Sequence, residues 1–275
     1  MPSPPDEIFV RGRLELLART PRVAIVGTRA PTPYGESQAR HFARVLGAAG
    51  VVVVSGLARG IDEAAHGGAL DVGAASVAVL GSGVDRPWPA GPLAERMLRE
   101  GLLLSEFAPG EGPRKHHFPL RNRLIAGLSR AVVVIEAAHA SGSLITARWA
   151  VDMGKDVYAL PGRVDHPMAR GCHRLLREGA ALVETPEELL GELGLAPAPA
   201  RGMGELEAGD LGTLSASILR ALIGETLSLD EIIARVGGSP AETLTELALL
   251  ELRGAVARSP GGLYRSNCRS PPRGP

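Results

Sequence analysis

Residues 51–62 read Val51-Val52-Val53-Val54-Ser55-Gly56-Leu57-Ala58-Arg59-Gly60-Ile61-Asp62, and this stretch decides the fold. Four successive β-branched apolar residues without polar alternation predict a strand covered on both faces, as in the interior of a parallel sheet. A Ser-Gly turn follows and opens a helix. The same unit recurs along the chain. Strands are expected at 23–26, 51–54, 76–80, 102–104, 132–135, 157–160 and 181–183. Helices are expected at 35–49, 61–72, 91–100, 121–129, 143–153, 168–178 and 186–193. Alternation at this spacing predicts an α/β fold, a Rossmann-like, doubly wound, mainly parallel sheet over residues 22–194. Ligands of such sheets bind beyond the carboxyl ends of the strands, where the Gly- and Ser-rich turns fall.

Residues 1–21 read as a lead-in segment. At 195–212 the composition shifts to LAPAPARGMGELEAGDLG, a Pro-, Ala- and Gly-rich linker. Three short helices follow at 214–223, 229–236 and 240–252. Ser239 is placed to cap the last of them, with Pro240 at its first position. A β-hairpin at 255–265 completes a winged-helix pattern over residues 213–265, and 266–275 reads as a disordered tail.

With 45 % hydrophobic residues in 275, the chain can bury a substantial core. No apolar run approaches the roughly 18 to 20 residues that span a bilayer, and the N-terminus lacks a signal pattern, so a soluble cytoplasmic protein without membrane partners is expected. The only cysteines, Cys172 and Cys268, lie far apart, which argues against a disulfide framework or a Cys-rich metal site. Thirty basic and thirty acidic residues balance, so any case for nucleic acid rests on local patches. Lys115 and Lys155 are the only lysines among those basic residues. Lys155, in a helix-to-strand loop, is read as unimportant.

Four turns carry the candidate site. The first, Gly27-Thr28-Arg29, lets a phosphate approach the backbone before a helix N-terminus, with Arg29 at its mouth. It lacks the G-x-G-x-x-G spacing, and a turn shaped only for packing explains the glycine as well. In the second, Ser55 and Gly56 are placed to donate to a phosphate. Asp62 and His66 share a helix face and are in register for a mutual hydrogen bond. No further metal ligands accompany His66, which favours a structural role. The third is Arg114-Lys115-His116-His117-Phe118-Pro119-Leu120-Arg121-Asn122-Arg123. Residues 111–130 hold five Arg/Lys against one acid, Glu111, in a chain that is only 3 % aromatic. Phosphate-neutralising cations beside a stacking ring suit single-stranded nucleic acid. Phe118 plugging the core while the arginines solvate a surface fits this segment equally. In the fourth, Ser141 is the expected N-cap, and the amides of Gly142 and Ser143 are placed to hold a phosphate. The Asp85-Arg86-Pro87-Trp88-Pro89 loop reads as structural.

Taken together, VAIVGTRAPTPYG, VVSGLARGIDEAAH, FPLRNRLIAGLS, SGSLITAR and ALPG, in this order over residues 22–190, resemble the DNA-processing protein A family, also called DprA or Smf. The terminal domain is similar to the winged helix of many members. The resemblance implies binding of single-stranded DNA without base chemistry, loading of the RecA recombinase during natural transformation, and a homodimer formed through the Rossmann-like domain. It implies no cofactor, metal or catalytic residue. By motif, the family's positive pocket falls on Arg29, Lys115 and Phe118. Supporting turns fall on Gly27, Thr28, Ser55, Gly56, Gly142 and Ser143, with Arg114, Arg121, Asn122 and Arg123 flanking. Many relatives carry an N-terminal sterile-alpha-motif domain. About twenty residues precede the first strand here, so that domain is expected to be missing or the start truncated.

Two other readings compete. A nucleotide hydrolase of the lysine-decarboxylase-like phosphoribohydrolase type shares the sheet, but its Gly-Gly-x-Gly-Thr-x-x-Glu turn is not matched. The comparable Ser141–Arg148 stretch lacks two glycines and ends in Arg148. A transcriptional regulator would use the winged helix, whose third helix carries Glu242, Glu246 and Glu251, which repel phosphate. From Arg253 onward there are five arginines and no acid, so the wing and tail are the likelier of its parts to touch DNA.

Overall fold

Buried apolar runs draw the chain into one large sheet whose strands appear in sequence as β1 (Phe9–Gly12), β2 (Arg22–Val26), β3 (Val52–Ser55), β4 (Ser76–Val79), β5 (Leu102–Ser105), β6 (Ala131–Val134), β7 (Asp156–Ala159) and β8 (Ala181–Leu182). In this computed structural model, residues 1, 3–196, 213–252, 255–259 and 262–266 are described. Two compact units emerge, Met1–Pro199 and Ala200–Pro275. The spatial order is β1-β5-β4-β3-β2-β6-β7-β8. All neighbours are parallel except β1, which pairs antiparallel with β5, Phe9 opposite Ser105 and Gly12 opposite Leu102. The first residues, read from the sequence as a lead-in, therefore supply an edge strand and a 3-10 turn, Leu14–Ala18, that buries Leu16.

Among the described residues seven α-helices cover the sheet: α1 (Pro33–Ala48), α2 (Ile61–Asp71), α3 (Pro92–Glu100), α4 (His117–Leu128), α5 (Ser143–Asp152), α6 (Arg170–Arg177) and α7 (Pro186–Glu192). Alternate strand residues point to opposite faces. Val23, Ile25, Val53 and Val133 pack against α1, α2 and α7, while Ala24, Val26, Val54 and Val134 pack against α4, α5 and α6. Both sets are buried, which explains the absence of polar alternation. Strand order reverses between β2 and β6, and there the turn after β2 is hydrogen-bonded to Glu136, just after β6.

α4 starts at His117 rather than near 121. Pro119 is tolerated because first-turn amides have no intrahelical acceptor. Its far end corrects the reading of Lys155. The ammonium donates to the carbonyls of Ala126, Gly127 and Ser129 at 2.8, 2.6 and 2.5 Å, closing the α4 C-terminus. Partial burial lowers its pKa from the ordinary value.

The second unit contains α8 (Thr213–Ala221), β9 (Thr226–Ser228), α9 (Leu229–Val236), α10 (Pro240–Leu252), β10 (Val256–Ser259) and β11 (Leu263–Ser266). Its antiparallel sheet runs β10-β11-β9, with β9 an element the helical pattern had hidden. Ile218, Leu222, Ile232, Leu247, Leu250 and Tyr264 form its core. Ser239 Oγ accepts from Glu242 N at 3.2 Å, the expected cap. The Glu242 carboxylate accepts from Ser239 Oγ, and Glu246 accepts from Ser215, so two of the acids on α10 have structural partners. Ser266 belongs to β11 rather than the tail; the rest of the tail and linker residues 197–212 lie outside the described residues. Among the described residues no helix is long and apolar enough to cross a membrane.

Replacing Lys155 with Met removes three donors from helix-end carbonyls. The unfolding free energy is expected to fall by about 1–3 kcal/mol. A lower urea midpoint with an unchanged m-value registers the loss.

Candidate functional site

The turn after β3 is built inward. Ser55 is fully buried and its hydroxyl donates to Ile25 O at 2.6 Å. Gly56 N donates to the Asp62 carboxylate at 3.0 Å. Neither group is available to a phosphate, which corrects the expectation for both. Leu57 takes a positive φ of 58° with its side chain in the core, a strained backbone that its surroundings hold in place. His66 does not meet Asp62. Its Nε2 accepts from Leu57 N at 3.3 Å, and its Nδ1 donates to Ser76 Oγ at 2.8 Å, which donates to Val53 O at 3.1 Å. These bonds fix one neutral tautomer.

Arg121 enters this turn from α4. It is 3 % exposed, and its guanidinium donates to Gly56 O at 2.6 Å, to Val79 O, and to Asn122 Oδ1 at 3.0 Å. A Cβ on Gly56 would stand 2.1 Å from that guanidinium, so only glycine fits. Burial lowers the Arg121 pKa to about 10 against the pull of Asp62, leaving it cationic at neutral pH. Burial likewise pushes the Asp62 carboxyl up, opposed by Arg121 and by the Gly56 and Ala58 amides.

Arg123 is equally internal, its two terminal guanidinium nitrogens each donating to Glu106 at 2.6 Å. Asn122 is 8 % exposed and donates to Gly142 O at 3.1 Å. The expectation that Arg121, Asn122 and Arg123 flank a groove as contacts gives way to a different role. They tie α4 to the turns after β3, β4 and β5 and to the start of α5.

Glu136, passed over in the sequence, holds the turn after β2. Its carbonyl accepts from Thr28 N at 2.7 Å, and its carboxylate accepts from Thr32 N at 2.9 Å and Thr32 Oγ1 at 2.5 Å. Thr32 Oγ1 in turn accepts from Gly35 N at 3.0 Å to cap α1. No spacing rule links residues 104 apart in sequence, which is why Glu136 escaped notice. Thr28 is 9 % exposed with its amide engaged, and Gly27 is crowded by Ile61 and Glu136, so both shape the turn. Gly60, at φ +82°, lies so close to Thr28 O that a Cβ would stand 2.6 Å away, and Ile61 N donates to that carbonyl at 3.2 Å. These contacts clasp the first two turns and leave Arg29 exposed above them.

The loop from β5 leads into α4, whose first turn brings Phe118 to Arg29. Arg114 and Lys115 are exposed, and Phe118 is half-buried in the first turn of α4. The Arg29 guanidinium lies over the Phe118 ring, 5.1 Å from its centroid, a cation–π contact. Gly81 approaches the same ring so closely that a Cβ would stand 2.8 Å from it. Beneath, His117 stacks on Phe107 at 3.9 Å and 15°, with Nδ1 3.1 Å from Gly81 O and Nε2 3.4 Å from Glu111. Phe118 is thus neither a core plug nor a free ring.

The fourth turn differs in detail from expectation. Gly142, not Ser141, occupies the N-cap of α5, and it is exposed. Ser143 is 8 % exposed, its hydroxyl 2.8 Å from Ser141 Oγ and its amide donating to that oxygen at 3.4 Å. Arg29, Arg114, Lys115, Phe118 and Gly142 are therefore the outward-facing members of the expected set. Among the described residues no group of three or more His, Cys, Asp or Glu side chains could hold a metal ion. Cys172 is buried and free, its pKa raised to about 12 by burial.

The chain is similar to known proteins. A family model described as DNA recombination-mediator protein A matches residues 1–194, and the DprA winged helix domain model matches 205–262. Protein Smf of Escherichia coli is 41 % identical over 95 % of this chain and 72 % of its own length. The solved structure of DNA processing protein A from Streptococcus pneumoniae is similar at TM-score 0.64 and 45 % identity, over 67 % of this chain and 65 % of that one. A structure of the Helicobacter pylori protein, described for its unique single-stranded DNA binding mode, reaches TM-score 0.65 at 32 % identity, over 70 % of this chain and 89 % of that one.

The buried imidazole of His66 makes stability depend on pH. Burial, aided by the nearby Arg121 charge, lowers its pKa from 6.5 to about 3. Between those values the unfolded chain binds a proton that the folded chain refuses, so stability falls as pH drops from 6.5 toward 3. The contribution approaches about 1.4 kcal/mol per pH unit. Denaturant unfolding at several pH values is expected to show this slope in the natural protein and a shallower one in His66→Gln.

Proposed function

This chain belongs to the DNA recombination-mediator protein A family, and on that footing we propose that it binds single-stranded DNA with little sequence preference and performs no chemistry on it. In this reading it protects the strand and promotes loading of the RecA recombinase during natural transformation and recombination. It acts in the cytoplasm as a homodimer joined through the Rossmann-like unit, so that two grooves engage one long strand and raise avidity.

The observation that carries the reading is the Arg29–Phe118 contact at the start of α4, just after exposed Arg114 and Lys115 in the chain. An aromatic ring offers a stacking face to any base, and guanidinium and ammonium groups neutralise the backbone without reading sequence. In the free protein the Arg29 guanidinium covers the ring. A base that stacks on Phe118 takes its place, and the guanidinium turns to an adjacent phosphate. Arg29 suits that step because its planar fork both stacks and pairs bidentately. Lys115, a compact charge on a flexible stem, follows the backbone. The Helicobacter pylori relative, described for single-stranded DNA binding, supports this choice of ligand.

The cations and the ring have separable signatures. Arg29→Ala and Lys115→Ala are each expected to weaken oligo-dT binding and to reduce the slope of log K against log salt by about 0.7. Phe118→Ala is expected to cost about 1–3 kcal/mol with the slope unchanged. Fluorescence anisotropy across a salt series measures both quantities. Wild-type affinity in either cation variant at moderate salt would remove that residue from the groove.

A further inference from the structure

The loop between β4 and α3, which the sequence marks as structural, holds an indole in solvent. Trp88 is 53 % exposed, in a chain whose aromatic content is only 3 %. Pro87 and Pro89 flank it, and Arg86 is exposed next to it. Exposing so large an apolar ring forfeits burial that an indole normally gains, and a flanking proline on each side restricts how the backbone presents it.

The loop is stitched to the segment that carries the groove's cations. Ser82 Oγ donates to Arg86 O at 2.7 Å and Arg86 N donates to Gly83 O at 2.9 Å, closing a tight turn. The Asp85 carboxylate accepts from Gly110 N at 2.8 and 2.9 Å, and Gly83 N donates to Glu111 O at 2.8 Å. Ser105 Oγ donates to Ser82 O at 2.7 Å. At its start the loop touches the stacking ring itself, through Gly81 and Phe118. Trp88 follows Gly81 by seven positions, at most about 25 Å when extended. The 82–86 turn shortens that path to the reach of a few nucleotides.

We propose that Trp88 is a second base-stacking platform, with Arg86 as its phosphate partner, on a strand path that continues from Phe118 along this loop. The proposal rests on the single-strand reading given above. It adds an aromatic-plus-cation pair to the first, the combination that tracks a strand without reading it.

Trp149 is the other tryptophan, half-buried on α5, so Trp149→Phe leaves Trp88 as the sole indole reporter. Titrating this variant with oligo-dT is expected to quench its emission in step with binding measured by anisotropy on labelled oligonucleotide. Trp88→Ala is expected to weaken oligo-dT binding about 5- to 100-fold, and Trp88→Phe to recover most of the loss. Unchanged emission at saturation, or wild-type affinity in Trp88→Ala while Arg29→Ala and Lys115→Ala lose theirs, overturns the second platform and leaves the groove standing. Failure of the natural protein to bind oligo-dT at all overturns both.

Discussion

A guanidinium leaves water only where acceptors and a counter-charge wait for it, and Arg121 finds them at the carboxyl ends of β3 and β4. Its bonds to Gly56 O and Val79 O, with Asp62 nearby, join two strand ends to the helix whose first turn bears Phe118. Removing one partner from a buried charge pair costs about 3–5 kcal/mol, because the remaining charge stays buried. The glycine at 56 follows from the space this side chain requires. Glu136 performs the corresponding task just after the end of β6, where one carboxylate and one carbonyl hold the turn after β2.

These internal ties divide the basic residues into two classes. Arg121 and Arg123 are buried and paired, and they position; Arg29, Arg114 and Lys115 are exposed, and they remain for a ligand. A groove whose turns are fixed from beneath orders little on binding, so more of each contact appears as affinity. The cation–π contact keeps Arg29 over Phe118 rather than loose in solvent.

The alternation of valine runs with Gly-turn-helix units made the doubly wound sheet legible, because apolar strands covered on both faces leave a direct trace in sequence. β1 and β9 left none, being short and dependent on partners far along the chain. The basic-aromatic cluster around Phe118 was legible for the same local reason. Which of its arginines face water was not, since Glu106 and Val79 are known as partners of Arg123 and Arg121 only once the strands are side by side. Helical spacing placed Asp62 and His66 together, but each found a nearer partner, Gly56 N and Ser76 Oγ. Lys155 looked incidental until α4 ended beneath it.

In the proposed reading, exposed Arg29, Arg114 and Lys115 with the half-buried Phe118 ring select an unpaired strand, whose bases can leave the stack and reach Phe118, over a duplex whose bases cannot. Anisotropy titration of labelled oligo-dT and a length-matched duplex over one salt series tests it most directly. The account predicts tight, salt-sensitive binding to the single strand and distinctly weaker binding to the duplex. Equal affinity for both, or no affinity for either, would contradict it and point to a small nucleotide as the ligand of these turns.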